Sequence, residues 1–143
     1  MTLTAPAPLG DRILVLNQEA WKPDGDVYRK CDGTLGCDPP GDPCDPRLLH
    51  AVRDGMDVPR NSAYSVEHCD PRWLVMTINV NSTACGAGGR PGCSAPPSVR
   101  RYFLRYDGRW TVIAASIDPG CGRLLEYEPA FPPEVCANLP APR

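Results

Sequence analysis

Between Leu74 and Asn81 the chain reads LVMTINVN, with Leu74, Met76, Ile78 and Val80 falling on one side and Val75, Thr77, Asn79 and Asn81 on the other. A period of two marks a strand with one buried and one wetter face, and the first set is assigned to the core. A second strand signal is RILVL at Arg12–Leu16, short and β-branched. The strongest is RRYFLRYDGRWTVIAAS, where Asp107-Gly108 separates two strand-like runs and predicts a two-residue hairpin turn. That turn sets Tyr106 opposite Arg109, Arg105 opposite Trp110 and Phe103 opposite Val112. Phe103, Trp110 and Val112 then share one face, and Tyr102, Leu104 and Ile113 the other. Both faces are partly apolar, so the hairpin is expected in the middle of a curved antiparallel sheet with a helix over one face.

Helical periodicity appears in DPRLLHAVRDGM, where Asp45 caps, Pro46 fits the first turn, Leu48, Leu49 and Val52 form the apolar side, and Gly55 closes the end. A shorter helix is predicted in FPPEVCANLP, started by its prolines and stopped by Pro140, with Val135 and Leu139 inward and Cys136 bolting it to the sheet. The fold class that follows is α+β: a small curved antiparallel sheet with one or two short helices, rich in loops.

Composition adds a reason for the loops. The 143 residues include 18 prolines and 13 glycines, while 7% are aromatic, so a modest core is surrounded by turns. The length suits one domain, assigned to residues 11–143. Residues 1–10, MTLTAPAPLG, lack the basic and apolar regions of a secretory signal and read as the tether that follows a removed signal or an anchor, Met1 then not being the native start. A net charge of -2 gives no global reason to expect nucleic acid as a partner. No apolar run is long enough to span a bilayer as a helix. The chain is expected to act as a monomer.

Eight cysteines, Cys31, Cys37, Cys44, Cys69, Cys85, Cys93, Cys121 and Cys136, compensate for the small core. None forms a Cys-x-x-Cys pair, the knuckle from which structural zinc usually draws two ligands. Their even number and their Gly- and Pro-bearing spacers predict four disulfides and an oxidising compartment. Eight thiols allow 105 connectivities. Local closure favours Cys85 with Cys93, around the glycine-rich GAGGRPG, and Cys37 with Cys44, leaving Cys31, Cys69, Cys121 and Cys136 to join distant segments. The aspartates of CDGTLGCDPPGDPCD lack the register and terminal Glu of an EF-hand, and Asp-Gly and Asp-Pro pairs suit turns. No metal and no cofactor are expected.

Catalytic motifs are absent: there is no Gly-x-Ser-x-Gly, no His-Glu-x-x-His and no phosphate loop. His50 is placed on the exposed side of the first helix beside Arg53 and Asp54, and His68 on the surface between Glu67 and Asp70. Arg100, Arg101, Arg105 and Arg109 read as a solvated sheet edge, with Arg105 stacking on Trp110.

From the Leu48 helix onward, CDPRWLVMTINV, RRYFLRYDGRWTVIAAS and FPPEVCANL resemble a diffuse set of small exported domains of actinobacterial cell envelopes: a Cys before a Trp-led strand, a Gly-Arg-Trp hairpin and a closing Pro-Pro-x-x-Cys helix. The resemblance covers about the last hundred residues and implies location and fold class, without an activity. The expectation is therefore a non-catalytic extracytoplasmic binding or structural module, secreted or membrane-tethered, whose partner is a protein or small-molecule ligand of the envelope. Two alternatives stand beside it. One is a small secreted disulfide-bonded hydrolase such as a ribonuclease, with His50 and His68 as acid and base and Arg105 on the phosphate. The other is a protease inhibitor presenting the Cys85–Cys93 loop.

Overall fold

The computed structural model describes residues 10–60, 62–80 and 98–143. Where composition leads to a single domain over 11–143, the chain divides into two compact units, Met1–Gly41 and Asp42–Arg143. The tether assigned to residues 1–10 lies, but for Gly10, outside the described residues, as does the Cys85–Cys93 loop.

The first unit is a three-stranded antiparallel meander of β1 (Leu14–Leu16), β2 (Glu19–Asp24) and β3 (Val27–Lys30). Asn17 and Gln18, at φ 51° and 68°, form the two-residue turn that joins β1 to β2 with both residues left-handed, the geometry that matches strand twist. After β3, a Cys31–Cys37 disulfide closes a loop in which the Asp32 carboxylate accepts the backbone N–H groups of Thr34 and Leu35, each at 2.7 Å. Those two bonds, Leu35 first, hold the Asp32 carboxyl below the usual carboxylate range, with a small opposing effect of burial. Turn chemistry accounts for this aspartate.

The second unit shows the α+β architecture. Helix α1 (Pro46–Gly55) is followed by a four-stranded antiparallel sheet in the order β4 (Tyr64–Cys69), β5 (Trp73–Asn79), β6 (Val99–Tyr106) and β7 (Trp110–Ser116), then by short helices α2 (Leu124–Tyr127) and α3 (Pro133–Ala137). Asp45 caps α1 by accepting the Arg47 N–H at 2.8 Å, and Pro46 takes the first turn, as its sequence prescribes.

The apolar side of α1, through Leu49 and Val52, packs on Leu74, Met76, Ile78 and Leu104. The opposite face of β5 is not wet. Trp73 and Val75 are buried with Phe103, Leu124, Phe131 and Leu139, and Thr77 is buried beside them. The polar half of the alternation thus belongs to a second interior, because residues 117–143 fold back over that face.

The β6–β7 connection overturns the expected register. It is a three-residue turn, Asp107–Arg109, with Gly108 at φ 94°, and it pairs Tyr106 with Trp110, Arg105 with Thr111 and Leu104 with Val112. One extra residue in a turn moves every following side chain to the other face. Trp110 therefore lies with Leu104 on the α1 side, its indole N–H donating to Pro43 O at 2.9 Å, and Phe103 lies on the other. A bulge at Ile113 then restores the parity, so that Phe103 pairs with Ala114.

All six described cysteines are in disulfides: Cys31–Cys37, Cys44–Cys69 and Cys121–Cys136. The expected Cys37–Cys44 pair does not form. Cys44, just before α1, lies 5.9 Å in Cα separation from Cys69 at the end of β4, a partner 25 residues away that the fold brings close. Cys31 is not a long-range link but closes a local loop, and Cys136 ties α3 to the turn after β7 rather than to the sheet.

Candidate functional site

The most deeply buried charge is one the sequence places on an edge. Since β6 is an interior strand, Arg101 is wholly buried and only Arg100 and Arg109 are exposed. A bulge between Val66 and His68 turns Glu67 inward, where Arg101 Nε donates to its Oε2 at 3.0 Å and Thr77 Oγ1 donates to its Oε1. The rest of the guanidinium donates to backbone carbonyls: Nη1 to Asp118 and Gly120 at 3.3 and 3.1 Å, Nη2 to Pro140 at 2.5 Å. A planar group with five donors suits this task, and Arg101 thereby fastens residues 118–140 over the sheet. Its role is to hold the fold.

Arg105 opposes Thr111, not Trp110, and pairs with Glu128 at 2.9 Å. The stacked cations are instead Arg72, 5.0 Å from the centre of the Trp73 ring, and Arg53, 5.4 Å from that of Tyr64. Arg53 is itself buried and donates to Ser62 O at 2.6 Å.

The two histidines have separate partners. His50 is exposed on α1, its Nε2 3.0 Å from Arg53 Nη2 and 3.6 Å from Asp54 Oδ2. His68, half-buried, lies with its Nε2 2.8 Å from Asp70 Oδ2. Asp70 also accepts the N–H groups of Arg72 and Trp73 at 2.7 and 2.8 Å. Burial pushes the Asp70 carboxyl up, but the His68 bond and the two backbone bonds together outweigh it and hold the carboxyl below its ordinary value. No hydrogen bond joins His50 to His68 or either one to Arg105 among the described residues. The acid, base and phosphate-binding roles sketched for these three residues are thus not assembled by a direct contact.

The lowered Asp70 pKa fixes a sign. A carboxyl more acidic in the folded than in the unfolded chain contributes stability above its unfolded pKa and loses it as pH falls through the folded one. An Asp70→Asn variant is expected to be less stable than wild type above about pH 5, the gap narrowing as pH falls below about 4. Urea midpoints across that range check it, and a gap that persists unchanged into strong acid would remove Asp70 as the cause.

Open surface of a binding kind lies between α1 and β7. A cleft of about 450 Å³ is floored by Val52, Met56, Leu104, Trp110 and Val112, with Asp57 and Arg109 also lining it. Each element contributes for a local reason: the helix period brings Val52 and Met56 to one side, and the three-residue turn brings Trp110 and Val112 to meet them. Sequence reasoning missed this cleft because the two-residue turn put Trp110 on the other face. A second cleft, in the first unit, is lined by Lys22, Arg29 and Lys30. Its cations are matched by Asp38, Asp24 and Glu19 respectively.

Among the described residues no group of three His, Cys, Asp or Glu side chains is placed to hold a metal ion, and no helix is long and apolar enough to cross a membrane. Compared with protein-family models, curated proteins and solved structures, the chain matches none.

Proposed function

We propose that this protein is a non-catalytic binding or structural module working outside the cytoplasm, at a bacterial cell envelope, with the α1–β7 cleft as its binding surface. The single observation that carries the reading is the cleft itself: an apolar floor, open to solvent, rimmed by one cation and one anion that form no ion pair with a described residue. Apolar surface left open between packed elements is the usual mark of a ligand or partner site. The three disulfides support the location, since such bonds persist in oxidising compartments. The likeness of the last hundred residues to small exported actinobacterial domains points the same way.

The hydrolase is kept as a second reading because of one observation, the 2.8 Å His68–Asp70 contact, which is how a carboxylate orients a general base. Assays for turnover of RNA, casein and nitrophenyl esters discriminate the two. The expected result is no turnover by the wild-type protein. Hydrolysis that is lost in His68→Ala, and retained in His50→Ala, would replace the binding module with an enzyme built on His68.

A further inference from the structure

We infer that the α1–β7 cleft receives an extended peptide segment of a partner protein, added as a fifth strand on the free edge of β7, with an aliphatic side chain in the cleft and residues of opposite charge flanking it. The inference rests on the binding reading above and names its partner class.

The four-stranded sheet has two edges, and they differ. Both edge strands carry a bulge, but the one in β4 turns the charged Glu67 inward beside the polar His68, and an inward-pointing charge is a device that keeps an edge from pairing. Strand β7, WTVIAAS, contains no charged residue and no proline. Among the described residues it pairs with β6 alone, so the N–H and C=O groups that alternate to its other side meet no described strand. Thr111, Val112 and Ala115 are exposed along it.

What makes this edge a receptor for a peptide is its neighbour. Ala51, Val52, Gly55 and Met56 of the α1 end stand across the cleft from Trp110, Thr111 and Val112. A strand laid along Trp110–Val112 gains main-chain hydrogen bonds from β7, and its alternate side chains point into the space between strand and helix. The gap at Gly55, where nothing lies within 4 Å of a Cβ position, leaves room on the helix side. The bulge at Ile113 ends the regular stretch after Val112. That break suits a short segment and works against continuous pairing of β7 with β7 of a second copy.

Charge specifies the segment further. Arg109 and Asp57 line the same cleft and neither has an ion pair with a described residue. The complementary segment therefore carries an acidic residue for Arg109 and a basic residue for Asp57, on either side of its aliphatic centre. Strand direction decides which comes first.

Two acetylated, amidated pentapeptides, whose first, third and fifth side chains share a face, serve as probes: Glu-Thr-Val-Thr-Lys and Lys-Thr-Val-Thr-Glu. Binding is followed by amide chemical shifts and by hydrogen exchange of the Trp110–Val112 backbone. One peptide is expected to bind about fivefold more tightly than the other, from two rim charges. It should slow exchange at those amides, and a version with proline at its centre should lose that protection. In the double variant Asp57→Lys, Arg109→Glu the preference should reverse. Failure of both peptides to shift the Trp110–Val112 amides overturns the proposal, as does binding that survives the central proline, or edge protection that depends on protein concentration without peptide, which would assign β7 to a second copy. Those failures leave the binding module standing, because that reading falls to His68-dependent turnover instead.

Discussion

Replacing Arg101 with leucine is expected to destabilise the Asp42–Arg143 unit by about 3–5 kcal/mol, the range found when one partner of a buried ion pair is removed. The guanidinium is fully buried and meets Glu67 and the carbonyls of Asp118, Gly120 and Pro140. Leucine takes the guanidinium donors from the carbonyls of Asp118, Gly120 and Pro140 and leaves Glu67 with Thr77 alone, and each unsatisfied buried acceptor has its own cost. For a domain whose whole stability is about 5–15 kcal/mol, the loss is a large fraction. Denaturant unfolding of the variant measures it. A companion double variant, Arg101→Leu with Glu67→Leu, should lose less than the two single changes combined, since the pair acts as one unit. A loss below about 1 kcal/mol for Arg101→Leu would mean that water takes over the guanidinium's contacts, and that the clamp on residues 118–140 lies elsewhere.

Phe131→Ala is the second large effect, also about 3–5 kcal/mol, as for truncation of an aromatic side chain in a core. Phe131 is fully buried and meets two rings edge-on, Trp73 at 5.2 Å and Phe103 at 5.6 Å between centroids. Such aromatic pairs stabilise beyond their buried area. The melting temperature should fall by more than about 10 °C. Tyr127→Ala on α2, where the residue is 62% exposed, is the control and should change stability by no more than about 0.5 kcal/mol. Equal melting shifts for the two variants would show that residues 117–143 do not close the interior against β5 and β6.

Both effects concern a stretch of chain whose placement local pattern does not reveal. The sequence by itself determined what depends on near neighbours. The alternation Leu74, Met76, Ile78 picks out a buried face of β5 because strand geometry has period two. Asp45 and Pro46 start α1 because a free amide near the first turn wants an acceptor and proline has no amide to lose. Pro132 and Pro133 open α3 through the second of these reasons alone, since no side chain caps that helix. The cysteines announced covalent closure, since an even set without a metal-type knuckle has few other uses in a small core.

Tertiary structure decided the rest. The second face of β5 is buried because residues 117–143 return across it, and a partner forty or more residues away leaves no trace in the period of the strand. The Glu67 bulge, which aims a carboxylate at Arg101, depends on how β4 meets β5. A single residue in the Asp107–Arg109 turn moved Trp110 from the Phe103 face to the α1 face, and with it created the cleft. Cys44 found Cys69 rather than Cys37 because the packing of α1 on the sheet brings the start of the helix beside the end of β4, whereas closeness in sequence favours only local loops. Secondary elements follow from short-range sterics and hydrogen bonding, but which face is covered, which charge is buried and which thiols meet follow from long-range packing, and the cleft exists only after that packing is complete.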